Sequence, residues 1–146
     1  MQAAVVNEDI DSVKQLYQSN PNLINEADNN YNTPLHLACN QTSKLELVQL
    51  LIQFNSDINK INNNGETPLL CLVSNNPNER RKIEEIGRFL LKSGASLEAK
   101  NNQGKNAQQI AYEKGYHSLI PRRESVKNLK LVKKKSTIFK NPFKAI

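Results

Sequence analysis

The chain repeats itself, and this limits its fold more than any composition figure does. Asn29-Asn-Tyr-Asn-Thr-Pro-Leu-His-Leu-Ala38 aligns with Asn63-Asn-Gly-Glu-Thr-Pro-Leu-Leu-Cys-Leu72, 34 residues later. A weaker third copy, Asn102-Gln-Gly-Lys-Asn-Ala-Gln-Gln-Ile-Ala111, follows 39 residues after the second. What comes after each opening recurs as well. Leu45 to Asn59 matches Ile86 to Glu98, and both match an earlier copy, Ser12 to Asn25. Periods of roughly 20–50 residues mark solenoids, because one short unit cannot bury its apolar face alone and must stack on neighbours.

Each part of the unit has a local physical meaning. Asn62 to Gly65 and Asn101 to Gly104 are turn signals, since an Asx side chain can bond nearby backbone and Gly tolerates positive φ. Thr33-Pro34 and Thr67-Pro68 are helix starts, with Thr as cap and Pro at the first helical position. Leu35 and Ala38 share one face of that helix. Leu47, Leu50, Leu51 and Phe54 follow at 3, 4 and 7 spacing, which predicts a second helix. It ends around Asn55 to Ile58, and its later counterpart around Gly94 to Leu97, with Gly94 as a C-terminal cap.

A turn followed by two helices, with a period of about 33 and the opening Thr33-Pro-Leu-His-Leu-Ala38, resembles the ankyrin repeat. The resemblance continues through Leu45 to Asn59, Gly65 to Leu69, Phe89 to Ala95, and Gly104 to Ala111 with Glu113-Lys-Gly-Tyr-His117. It implies an all-α ankyrin-repeat solenoid of stacked antiparallel helix pairs, with β-turn or hairpin fingers on one side. The predicted domain is residues 1–120, in units 3–27, 28–61, 62–100 and 101–120. Thr33, Pro34, His36, Gly65, Thr67, Pro68, Gly94 and Gly104 take structural roles in this scheme, and His36 ties neighbouring repeats together. The resemblance also implies that another protein binds to the concave face of finger tips and first helices. The candidate contacts are Asn30, Tyr31 and Asn32 on one finger, Asn63, Asn64 and Glu66 on the next, and Asn102, Gln103 and Lys105 on the third. Asn40 and Gln41 near the end of a first helix join them, as do Arg80 and Arg81 on an insertion.

Several positions depart from the pattern. Tyr31 stands where the repeat has Gly, and an aromatic at positive φ is costly, so that turn is expected to be remodelled. It otherwise offers an exposed aromatic to a partner. Leu70 replaces the histidine, Leu72 replaces a small residue, and Gly87 falls mid-helix at a cost of about 1 kcal/mol. This unit is therefore expected to be the least regular. It also carries six extra residues, read as a charged loop around Ser74 to Lys82. Gln108 and Gln109 suit the polar outer face of a terminal unit.

Charge separates a tail, residues 121–146, from the repeats. Residues 1–120 hold 11 Lys and Arg against 13 Asp and Glu, a net of −2; residues 121–146 hold 9 against 1, a net of +8. Val126, Leu129 and Val132 at spacing three, with Ser125 ahead of them, predict a short basic helix. The tail fits a solvated segment, an anionic-membrane contact, a localisation signal or a phosphate binder. Its candidate contacts are Arg122, Arg123, Lys127, Lys130, Lys133, Lys134 and Lys135. Cys39 and Cys71 read as buried thiols of a reducing compartment, and the N-terminus has no secretory pattern, so a cytoplasmic site of action is expected. No phosphate loop, nucleophile elbow or metal-ligand spacing occurs, so neither catalysis, nor a cofactor, nor a small-molecule substrate is expected. Three functions follow: a protein-binding module or adaptor, an electrostatic binder of membrane or nucleic acid through the tail, and a bacterial effector. The last rests on a resemblance, in Asn- and Lys-rich composition, to ankyrin proteins that intracellular bacteria deliver into host cells.

Overall fold

The computed structural model describes residues 1–41, 44–75 and 78–121, and within them the chain folds as helix pairs. α1 (Gln2–Val6) leads to α2 (Ile10–Ser19), α3 (Pro34–Asn40) to α4 (Leu45–Gln53), and α5 (Pro68–Asn75) to α6 (Arg80–Lys92). α7 (Ala107–Lys114) is followed only by a 3-10 turn at His117–Leu119. The first helices pack in the order α1, α3, α5, α7, and α4 packs on α6 behind them. Among the described residues there is no strand, only a single antiparallel bridge between Lys100 and Asn106. None of the described helices is long and apolar enough to cross a membrane.

The predicted caps are in place. Thr33 Oγ1 accepts from the His36 N–H at 3.4 Å, and Thr67 Oγ1 from the Leu70 N–H at 3.2 Å. In the third copy Asn106 does the same for Gln109 at 2.8 Å, and the Gln109 side chain returns a bond to the Asn106 N–H. Behind α3, the apolar stripe of α4 is Leu47, Val48 and Leu51, all fully buried. Leu50 and Phe54 lie at its edge, and the Phe54 ring stacks on Tyr17 with centroids 3.9 Å apart. The substitutions on α5 have a packing reason. This helix is covered by α3, α6 and α7, so Leu69, Leu70, Leu72 and Val73 are all solvent-free and apolar side chains suit every direction.

The expected charged loop is corrected by α6. α5 runs to Asn75 and α6 begins at Arg80, so the extra residues lengthen helix; α6 has 13 residues where α4 has 9. Arg80 and Arg81 therefore sit in the first turn of a helix, not on a loop. Arg80 pairs with Glu84 at 3.2 Å and Lys82 with Glu79 at 3.6 Å, while Ile83, Ile86 and Leu90 point inward. Gly87 interrupts none of this. A Cβ there would lie 2.7 Å from a methyl of Leu119, so the glycine is the space into which the C-terminal turn packs. Ser118 reinforces the contact, donating from N–H and Oγ to Glu84 Oε2 at 3.0 and 2.6 Å, and the Arg80 guanidinium donates to the Gly115 carbonyl. Burial pushes the Glu84 carboxyl up, but the bonds from Ser118 and Arg80 outweigh it and hold the group below its ordinary range. The tail positions Arg122, Arg123, Lys127, Lys130, Lys133, Lys134 and Lys135, with the helix expected after Ser125, lie outside the described residues.

This packing predicts coupling between two positions 32 residues apart. In the native background Gly87→Ala brings no gain, because helix propensity worth about 1 kcal/mol is offset by displacement of Leu119. In a Leu119→Ala background the same change stabilises by about 1 kcal/mol. Urea unfolding of the four proteins measures the difference.

Candidate functional site

Three fingers repeat one turn. In each, an Asx side chain at the base accepts two backbone N–H groups. Asp28 Oδ1 takes those of Asn30 and Asn32 at 2.8 and 2.9 Å. Asn62 Oδ1 takes those of Asn64 and Glu66 at 2.9 and 3.0 Å, and Asn101 Oδ1 those of Gln103 and Lys105 at 2.9 and 3.0 Å. The Asx backbone N–H donates across to the carbonyl of Asn32, Glu66 or Lys105. Each turn needs one residue at positive φ: Tyr31 at +61°, Gly65 at +71° and Gly104 at +79°. The turn at Tyr31 is thus not remodelled. It keeps the common geometry, because Asp28 and the cross-turn bond hold it, and the tyrosine carries the strain. Its side chain is 59% exposed.

The fingers also bond to one another. The Asn63 N–H donates to the Asn30 carbonyl and the Asn102 N–H to the Asn64 carbonyl, both at 3.0 Å, in equivalent registers. Asn62 Nδ2 donates to Asn32 Oδ1 at 2.9 Å, and Asn102 Nδ2 to the Asn63 carbonyl at 2.9 Å. Gly65 has a second reason to be glycine here, since a Cβ would lie 2.5 Å from Asn102 Oδ1. His36 joins helix to finger. Its Nε2–H donates to the Glu66 carbonyl at 2.8 Å, and Nδ1 accepts from the Thr33 N–H at 3.1 Å. The ring is fully buried, and burial lowers its pKa against the opposing pull of the Glu66 carbonyl, so it stays neutral.

Two further asparagines do repeated work that the sequence reading missed. At the far ends of the second helices, Asn25 Oδ1 accepts the Asp57 N–H at 2.8 Å and Asn59 Oδ1 the Ser96 N–H at 2.9 Å. Their amide groups donate to the carbonyls of Asn55 and Gly94, the two positions where those helices end at positive φ. Their 34-residue spacing was the available signal.

The side chains at the finger tips form one row. Asn30, Tyr31, Asn63, Asn64, Asn102, Gln103 and Lys105 are exposed, and Asn32 and Glu66 half-buried. Between the first two fingers a hollow of about 430 Å³ is lined by Asn32, Asn40, Asn62, Asn64, Glu66 and Cys71. A second of about 470 Å³, sharing Asn64 and Glu66, continues along Asn101, Lys105 and Glu113. Gln41 stands apart, its amide donating to the carbonyls of Val5 and Val6. Arg80 and Arg81 line a separate hollow with Glu84 and Arg88. Cys39 and Cys71 are buried, and burial pushes both thiols up, so they stay protonated and unreactive. Among the described residues no cluster of three or more His, Cys, Asp and Glu could hold a metal.

Two outcomes are expected. Tyr31→Gly relieves the strained φ and raises stability by about 1 kcal/mol, read from urea midpoints. For His36, the folded pKa lies below the ordinary 6.5, so the unfolded chain takes up a proton that the folded one refuses. Stability is full above about pH 6.5 and falls below it by up to about 1.4 kcal/mol per pH unit. The lowered carboxyls of Asp9 and Glu84 act only nearer pH 4, so unfolding compared at pH 7 and pH 5 isolates the histidine. In His36→Leu the dependence flattens.

Comparison with known proteins agrees with this geometry. Ankyrin repeats, in three copies, match residues 1–101. An ankyrin repeat protein of fowlpox virus (strain NVSL) is 48% identical over 56 residues, 38% of this chain. The human transient receptor potential cation channel subfamily A member 1 is 29% identical over 100 residues, 68% of this chain. The chain spans only 9% and 8% of those two proteins. Ankyrin repeats are in general protein–protein interaction modules and are typically non-catalytic. Three like fingers bonded in register, and repeats matched over the first 101 of 146 residues, lead to one conclusion: the chain belongs to the ankyrin-repeat family.

Proposed function

We propose that the chain is a non-catalytic adaptor that holds a partner protein against the row of finger tips and first helices. The observation that carries this is Tyr31. A large aromatic is kept exposed, at a strained position, on the tip of a finger that Asp28 and the cross-turn bond already hold in shape. Strain retained at an exposed site points to a use for the side chain. Around it, Asn30, Asn32, Asn63, Asn64, Glu66, Asn102, Gln103 and Lys105 supply polar contacts, with Asn40 at the back. The two buried thiols suit a reducing, cytoplasmic setting, and delivery into a host cell would place the partner there.

The charge split supports a second reading, in which the +8 tail holds an anionic membrane or nucleic acid and the repeats are scaffold. One experiment separates the two. Full chain, Tyr31→Gly and a truncation after Pro121 are used as baits in a eukaryotic lysate at low and high salt. The adaptor reading expects a discrete protein, kept by the truncation at high salt and weakened about tenfold by Tyr31→Gly. Capture that vanishes with the tail and with salt, and ignores Tyr31, overturns it in favour of the tail.

A further inference from the structure

The hollow between the first two fingers holds a carboxylate that no described Lys or Arg pairs with. Of its six lining residues, Glu66 alone brings a carboxylate; the Cys71 thiol, pushed up by burial and by that carboxylate, adds no charge. Among the described residues no Lys or Arg lies within salt-bridge distance of Glu66. The contact its carboxylate makes is a weak one, accepting from Cys71 Sγ at 3.7 Å. The neighbouring amide is turned elsewhere: Asn62 Nδ2 points to Asn32 Oδ1 and Cys71 Sγ, at 2.9 and 3.6 Å. Its oxygen is taken by two N–H groups of the finger, so the amide is locked in that orientation. The adjoining hollow differs. There Lys105 Nζ pairs with Glu113 at 3.1 Å, and Lys114 Nζ donates to the Ser74 carbonyl at 2.6 Å. Glu66 borders this second hollow too, and both of its lysines are engaged with other groups.

A half-buried carboxylate among fixed dipoles, with no cationic partner among the described residues, is a receptor for a cation, and partial burial makes the pairing worth more than at an open surface. We infer that this hollow takes a basic side chain, arginine before lysine, from an extended segment of the partner. A guanidinium matches a carboxylate through two parallel N–H groups and has further donors for the nearby asparagine oxygens. Exposed Asn30, Asn63 and Asn64 flank the site with amides able to bond the main chain of such a segment. The inference rests on the protein-binding reading above and adds the chemistry that the partner must present.

The test uses the full chain and a library of equal-length peptides, randomised except for a central Arg, Lys, Gln or Glu. The expected result is selection of Arg, then Lys, over Gln by roughly tenfold or more. Glu66→Gln removes that selection, and Glu66→Arg turns it towards Glu. Glu66 enters the fold through its backbone, so both variants should melt as the parent does, which the same samples report. The basic tail is present in all three proteins, so its direct attraction or repulsion of a peptide's charge is common to them. A preference for Arg that survives Glu66→Gln, or bound peptides with no preference at the centre, overturns this inference and leaves the adaptor reading standing. Binding of no peptide, together with no captured protein, overturns both.

Discussion

The molecule depends on how a tight turn satisfies its own backbone. Each finger reverses the chain within a few residues and would leave several N–H groups without partners. One Asx oxygen at the base takes two of them, at Asp28, Asn62 and Asn101. Once each turn is closed, its remaining carbonyls face the next finger, which supplies the N–H of Asn63 or Asn102. The stack is thus held in register by the same polar groups that shape the turns. The apolar layer of Leu35, Leu51, Leu69 and Leu90 supplies most of the drive to associate. A hydrophobic contact alone would allow sliding; the ladder does not.

His36 links these two systems. It sits at the start of α3, caps its own helix through Thr33 and reaches the carbonyl of Glu66 on the next finger. That carbonyl also receives the Asn62 N–H, so it closes a turn and anchors a helix at once. In the following unit Leu70 fills the equivalent place with no polar reach. There the role of linking the fingers falls to Asn102, which bonds the Asn63 carbonyl with its side chain. Two junctions of one stack are held by different chemistry.

What was legible in the sequence was whatever acts within a few residues. Thr33-Pro34, Thr67-Pro68 and the Asx-to-Gly turns carry their meaning locally, and the repeat multiplied the signal. What was hidden acts at a distance. Gly87 reads as a defect until Leu119 is seen to occupy the space beside it. Asn25 and Asn59 only mark the ends of matched segments until their partners, 30 to 37 positions onward, are known. Arg80 and Arg81 were misplaced because a charged stretch after Asn-Pro looks like loop, whereas the pairs Glu79–Lys82 at i,i+3 and Arg80–Glu84 at i,i+4 suit a helix. Among the candidate contacts, the fingers came together as one row because the repeat fixes their positions. Gln41 did not join it, having found carbonyls on α1.

The spacing of the units differs, 34 residues from the first finger to the second and 39 to the third, yet the fingers bond in the same register. Most of the added length is spent on α6, four residues longer than α4, and the fingers still meet in one register. A chain built this way can gain or lose residues along its back while its row of finger tips keeps one pitch. Length variation and binding specificity are then free to evolve separately: indels drift on one side of the molecule, and point substitutions rewrite the other.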